Sequence, residues 1–113
     1  MIDVSIDRKR WLRGEGGRVS SLLRPSDGKM CCMGFYCLVM GLSPEDICDI
    51  HSLGAIKDNQ KFDVVIQEML PILSQLYHTN DHPSISSADR ETKLVELGHK
   101  ADINFTFQGE EDQ

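Results

Sequence analysis

Apolar and polar residues alternate at both ends of the chain. Residues 2–6 read Ile-Asp-Val-Ser-Ile, and residues 103–107 read Ile-Asn-Phe-Thr-Phe. A period of two places alternate side chains on one face, so each stretch predicts a strand with one buried face. Residues 19–23 can form a further short strand, because the turn sequence Pro-Ser-Asp-Gly follows at residues 25–28.

The longest uncharged stretch, Met30 to Leu42, holds three of the four cysteines. Its length favours a helix over a strand, and Gly41 suits the position just after a helix end. Its apolar residues lie on every side of a helical wheel, so we expect neighbouring elements to cover most of it. Gly34 would let one neighbour approach closely.

A serine followed by a proline predicts the start of a second helix at residues 43–46. Serine accepts hydrogen bonds from free main-chain amides, proline suits the first helical position, and the two following acids suit the positive end of the helix dipole. We expect this helix to continue to Gly54.

Two longer helices are predicted in the second half of the chain. Apolar residues recur at helical spacing over residues 62–77, where Pro71 predicts a kink or two shorter helices. Residues 78–83 are predicted to form a loop. The last helix should begin at one of two serines, span about residues 86–97 and end at Gly98.

These elements predict an α+β domain over residues 1–108. The N- and C-terminal strands should share one small sheet, packed by the central apolar helix and two to three further helices. Residues 109–113, which carry three acids, are predicted to be a flexible tail.

Composition and charge limit the classes of function that fit this chain. A chain of 113 residues fits one domain, and the absence of a signal sequence or a transmembrane run predicts a cytoplasmic protein with reduced thiols. The net charge is −6. Residues 1–33 hold seven basic and four acidic residues, whereas the remainder holds five basic and fourteen acidic residues. This balance argues against a general nucleic-acid binder and allows an acidic surface that meets a basic partner or simply aids solubility.

The first loop offers candidate contact residues. Arg10, Trp11 and Arg13 are of the types that dominate binding hot spots, although a lone tryptophan beside a strand often fills the core instead. The glycine-rich residues 14–17 lack the spacing of a phosphate-binding loop.

The cysteines are a second candidate for function. Cys31, Cys32, Cys37, Cys48 and His51 include enough sulfur and imidazole ligands for a zinc site, and a thiol at a helix start is also a candidate nucleophile. Against zinc, adjacent residues on a helix point about 100° apart. The alternative is that these thiols are small buried hydrophobic groups. The His78 and His82 pair is disfavoured as a metal site because a loop is predicted there.

Three stretches carry a resemblance: residues 11–15 (Trp-Leu-Arg-Gly-Glu), residues 28–35 (Gly-Lys-Met-Cys-Cys-Met-Gly-Phe) and Asn80-Asp81 ahead of a charged helix and terminal strand. Together they resemble a group of short phage and prophage proteins of unassigned function. The resemblance implies a mobile-element accessory protein that binds and disables a host machine. By analogy, a CRISPR-Cas or other defence nuclease complex is the target to expect.

The leading hypothesis is therefore a cytoplasmic inhibitor without catalytic activity or cofactor. Its expected partner is a host protein or protein–nucleic acid complex, with no sequence-specific nucleic-acid contact and no membrane. The predicted contact residues are Arg10, Trp11, Arg13, Asp58, Asp63 and Glu68. The alternatives are a zinc- or thiol-dependent protein using the cysteine set, and a structural or regulatory subunit whose acidic surface serves solubility.

Overall fold

The structure is a computed structural model, and it describes residues 1–14, 21–51, 53, 56 and 60–109, without the side chains of residues 60–66 and 70. The described residues form two strands, four α-helices and a one-turn 3-10 helix. In chain order these elements are β1 (Ile2–Asp7), the 3-10 helix (Arg8–Arg10), α1 (Cys32–Val39), α2 (Pro44–Ile47), α3 (Gln60–Asp81), α4 (Ser87–Lys100) and β2 (Ile103–Gln108).

The two terminal strands pair in parallel, from Ile2 beside Ile103 to Asp7 beside Gln108. Parallel pairing needs a long crossover, and the helices between the strands provide it. Alternate side chains of each strand are buried in the core, and the others face solvent. Both predicted strands, their shared sheet and the α+β class are confirmed.

Helix α1 lies at the centre of the packing, as its sequence predicts. Residues 32–37 are buried in succession, and the helix becomes exposed only near its end, where Val39 is 51% exposed. Gly41 ends it with φ at 97°, its amide donates to Leu38 O at 3.1 Å, and the Leu42 amide donates to Cys37 O at 3.1 Å. This pair of bonds is a Schellman motif, so the predicted glycine stop is confirmed.

Gly34 allows the segment before α1 to reach the helix backbone. A Cβ atom built on Gly34 would lie 1.9 Å from the carbonyl oxygen of Leu22. No side chain larger than hydrogen fits at that distance, so the predicted close approach is confirmed.

Helix α2 is shorter than predicted. Ser43 lies at the start of the helix as predicted, and its amide donates to Asp46 Oδ2 at 2.9 Å, but the helix ends at Ile47. Asp49 then takes φ at 57°, and its amide donates to Leu23 O at 2.8 Å. The prediction of a helix to Gly54 is wrong because Asp49 and Ile50 form main-chain hydrogen bonds with residues 22–23 directly after the helix ends.

The predicted third strand is reduced to a single bridge between Leu23 and Cys48. Residues 21, 22 and 24 carry no strand, and residues 19 and 20 lie outside the described residues. The turn after this segment is confirmed, because the Gly28 amide donates to Arg24 O at 2.8 Å.

Helix α3 is one continuous helix of 22 residues that contains Pro71. Two shorter helices, one of the two outcomes predicted at Pro71, are therefore excluded. The predicted loop over residues 78–83 is wrong for residues 78–81, which belong to the helix, and is confirmed for His82 and Pro83. Thr79, Asn80 and Asp81 are polar but buried. Their tertiary hydrogen bonds, described below, favour helix where the local sequence favours a loop.

Helix α4 begins as predicted, with the Ser86 side chain accepting the Asp89 amide at 3.1 Å. Gly98 does not end it. A Cβ on Gly98 would lie 2.7 Å from the Phe105 ring, so this glycine allows the helix to pack against β2. The chain turns instead at Asp102, where φ is 62°.

Candidate functional site

The first loop places the basic residues of the N-terminal third next to the entry of α1. Asp7 accepts the Lys9 amide at 3.0 Å and so begins the 3-10 helix. Trp11 then pairs with Met30, whose amide donates to Arg10 O at 2.9 Å. The contact residues predicted on this loop are therefore fixed against the core on one side.

Trp11 fills the core, as the alternative for a lone tryptophan expects. It is 2% exposed, its indole Nε1 donates to Asn80 Oδ1 at 2.8 Å, and its ring lies 5.0 Å from that of Phe107. A buried ring offers no exposed surface, so Trp11 is not available here as a surface contact group.

Arg13 and Arg10 differ in how they are held. The Arg13 guanidinium lies 4.4 Å from the centre of the Trp11 ring, a cation–π contact, and its Nη1 donates to the carbonyls of Arg8 and Trp11 at 3.2 Å. Arg13 is half-buried, whereas Arg10 is exposed. Arg10 is thus the most accessible of the three predicted contact residues on this loop.

Asn80 joins the loop to the two central helices. Its Oδ1 accepts the Trp11 indole and the Cys32 amide (3.1 Å), and its Nδ2 donates to Leu12 O (2.9 Å) and Asp81 Oδ1 (3.0 Å). Both donors and both acceptor positions of this fully buried amide are used. We call Asn80 and these four partners the Asn80 network.

Arg90 stabilises the end of α3 from α4. Its Nε donates to Thr79 O at 3.3 Å, and its Nη2 donates to the carbonyls of His82 and Ile85. Carbonyls at a helix end lack partners within the helix, so this guanidinium caps them. Desolvation at 4% exposure, followed by the nearby Arg13 charge, lowers the pKa of Arg90. Its role here is structural.

Sequence reasoning missed the structural roles of both Asn80, which it noted only within the resemblance, and Arg90. Asn80 lies in a stretch that reads as a loop, and Arg90 reads as one charged residue on an exposed helix. The one available signal was the helical spacing of residues 62–77, which continues in phase to Asn80.

The three thiols of the central stretch are buried. Desolvation raises the pKa of Cys31 to about 12 and also raises the pKa values of Cys32 and Cys37. The Asp81 charge adds to the shift of the first two thiols. These groups stay protonated and inaccessible, so the dipole effect expected at the start of α1 does not activate them.

The structure does not bring the predicted zinc ligands together. Cys48 is exposed after α2, and His51 is exposed beyond it, whereas the other three cysteines lie in the core. Among the described residues, no three His, Cys, Asp or Glu side chains are grouped to hold a metal ion.

His78 and His82 are closer than the predicted loop implied. The His82 amide donates to His78 O at 3.0 Å, and the two rings lie perpendicular with their centres 5.2 Å apart. However, His82 Nδ1 accepts the Ser84 amide at 3.1 Å. A neutral imidazole that accepts a hydrogen bond at Nδ1 carries its proton on Nε2. In this arrangement neither nitrogen of His82 offers a free lone pair to a metal ion.

The predicted acidic contact residues fall partly outside the described residues. Glu68 is exposed on α3. Asp63 lies in the same helix, but its side chain is not described, and Asp58 lies outside the described residues altogether.

No protein-family model, no curated protein and no solved structure matches this chain. In addition, none of the helices in the described ranges is long and apolar enough to cross a membrane. Function must therefore be argued from the residues themselves.

Proposed function

We propose that this chain is a phage or prophage accessory protein that binds and inhibits a host protein, most concretely a CRISPR-Cas or other defence nuclease complex. It would act in the host cytoplasm as a binding protein rather than as an enzyme. The proposal starts from the sequence resemblance described above.

The observation that carries the proposal is that most of the thiols are buried, whereas charged groups lie at the surface. The thiols of Cys31, Cys32 and Cys37 are protonated and buried, and the polar side chain of Asn80 is fully used in holding the fold. The exposed groups include the Cys48 thiol and many charged side chains, such as Arg10 and Glu68. Charged groups on a small stable scaffold suit recognition by complementary charge.

Inhibition of a defence nuclease can be tested directly. We expect purified protein, added in excess over a CRISPR effector complex from the native host, to suppress cleavage of its target DNA. Arg10→Glu and Glu68→Lys should each weaken the inhibition, because each reverses an exposed predicted contact. Glu96→Lys is the matched control, since Glu96 is exposed on α4 and lies outside the predicted contact set.

Undiminished cleavage by every defence nuclease complex of the host at saturating protein would reject the inhibitor proposal. Inhibition that both Arg10→Glu and Glu68→Lys leave unchanged would reject charged contacts as the mode of binding, while the inhibition itself would stand.

A further inference from the structure

Two basic segments that are far apart in the sequence lie side by side in the fold. The amide of Met30 donates to Arg10 O at 2.9 Å, and the amide of Leu12 donates to Met30 O at 2.7 Å. This pairing sets Lys29 next to the 3-10 helix that carries Lys9 and Arg10. We call Lys9, Arg10 and Lys29 the basic patch.

Three described carboxylates lie near the basic patch, and each accepts hydrogen bonds from groups other than the side chains of the patch: Asp7, Asp27 and Glu91. Glu91 binds the Arg8 guanidinium through two hydrogen bonds of 2.9 and 2.8 Å. Asp27 binds Arg24 at 3.1 and 2.6 Å and also accepts the main-chain amide of Lys29. Within the described residues, no side chain of the basic patch has a hydrogen bond or a close ion pair.

The charge of the basic patch is opposite to that of the whole molecule. Lys9 and Arg10 are exposed and Lys29 is half-buried, in a chain of net charge −6. Cations grouped together repel one another, and carboxylates of a partner would remove that repulsion while fixing the orientation of the complex. We infer that the basic patch is the surface that contacts the partner, and that the partner presents an acidic protein surface to it.

Nucleic acid fits the basic patch less well than an acidic protein does. Three cations make only a few phosphate contacts, which is a small number for stable binding to nucleic acid. Single-stranded nucleic acid also binds through aromatic stacking, but Trp11 is buried and no Phe, Tyr or Trp side chain among the described residues is exposed.

This inference rests on the proposed function, because it names the surface that the inhibitor would use. It can nevertheless be tested without the target. In an NMR titration with an oligoglutamate peptide, we expect amide shifts confined to residues 8–13 and 28–30. The variant Lys9→Glu/Arg10→Glu should weaken this binding by about tenfold or more. Lys93→Glu/Lys100→Glu, which makes the same charge change on exposed positions of α4, should leave it unaltered.

Three results would overturn the inference. The first is the absence of amide shifts at the basic patch. The second is that both double variants weaken oligoglutamate binding equally, which would show that binding depends only on the net charge of the protein. The third is tighter binding of an oligothymidylate of the same length, which would identify nucleic acid as the fitting partner.

The nuclease assay then separates the two proposals. If wild-type protein inhibits and Lys9→Glu/Arg10→Glu inhibits equally well, the basic patch is not the contact surface, while the inhibitor proposal stands. If wild-type protein fails to inhibit but binds oligoglutamate through the basic patch, the inhibitor proposal fails and the charge preference of this surface stands.

Discussion

Helix α1 and the Asn80 network touch each other, since the Cys32 amide donates to the Asn80 side chain, yet they are stabilised by different interactions. Helix α1 buries sulfur, aromatic and aliphatic groups against the segment at Leu22. The Asn80 network buries an amide that has no apolar surface to contribute and is stable only because every hydrogen bond is made.

The difference predicts different sensitivity to substitution. Apolar packing depends on volume, so the stability of the region around α1 should fall when atoms are added or removed, by an amount that depends on the space available. A buried polar group, in contrast, depends on all of its hydrogen-bond partners. In the Asn80 network, replacing a single side chain should therefore destabilise the protein as much as losing several hydrogen bonds at once.

The largest effect is expected where α1 is most tightly packed. Gly34→Ala would set a methyl group against the Leu22 carbonyl oxygen, at 1.9 Å before any shift. A backbone atom cannot rotate away, so we expect a loss of at least about 4 kcal/mol in the free energy of unfolding, measured by chemical denaturation.

The matched control for this change is Gly98→Ala. Its new methyl would meet the edge of the Phe105 ring at 2.7 Å and the Ile103 carbonyl oxygen at 2.9 Å, so the clash is smaller and the loss should be smaller. A Gly34→Ala protein as stable as wild type would show that the two segments do not pack this closely.

The second effect tests the Asn80 network. Asn80→Ala removes four side-chain hydrogen bonds and leaves the buried Trp11 indole and Cys32 amide without partners. We expect a loss of about 3 kcal/mol. The fluorescence of Trp11, the single tryptophan, should also shift in the folded variant because its indole loses its acceptor.

Two variants sharpen this prediction. Asn80→Asp keeps the shape but turns a carboxylate oxygen toward Leu12 O and Asp81 Oδ1, so it should be at least as damaging as alanine. Asn104→Ala, which removes the exposed hydrogen bonds of this side chain with Asp3 and His99, should change stability by less than about 0.5 kcal/mol. Equal effects of the two alanine variants would refute the importance of the network.

The same contrast explains which parts of the fold could be predicted from the sequence. The two terminal strands and the central helix α1 were predicted correctly because the period and length of an apolar stretch report its burial directly. The end of α3 was not, because Asn80 has the same local preferences whether it lies in a loop or is satisfied by tertiary partners. Likewise, Gly98 is a packing position and not a helix stop, which only the neighbouring Phe105 reveals.

For the candidate site, sequence predicted residue types but not their surroundings. Trp11 and Arg13 were correctly chosen as notable, but their contact with each other and the burial of the indole depend on Asn80, far along the chain. The basic patch could not be predicted either, because Lys29 lies next to the first loop only through the pairing of Trp11 with Met30, which the sequence does not show.

A smaller effect is expected from exchanging sulfur for oxygen. Cys37→Ser places a hydroxyl in an apolar part of α1, and we expect a loss of about 1–3 kcal/mol. Cys48→Ser, at an exposed position, should change stability by less than about 0.5 kcal/mol. Cys48 alone should react with iodoacetamide in the native protein, and fast labelling of all four thiols would contradict the burial of the other three.

The smallest effect lies outside both buried regions, in the exposed pair of Arg24 and Asp27. The Arg24 hydrogen bonds, helped by the Lys29 amide, lower the pKa of Asp27 to about 2 from its usual 3.8. A lowered pKa means that the stabilising contact is complete above the usual value and is lost as the pH falls through about 2. Because the pair lies at the surface, where solvent screens the charges, Arg24→Ala should return the Asp27 pKa toward 3.8 in an NMR titration while leaving the unfolding free energy at neutral pH nearly unchanged. A large destabilisation would mean that surface charge pairs, and not only the two buried regions, hold this fold together.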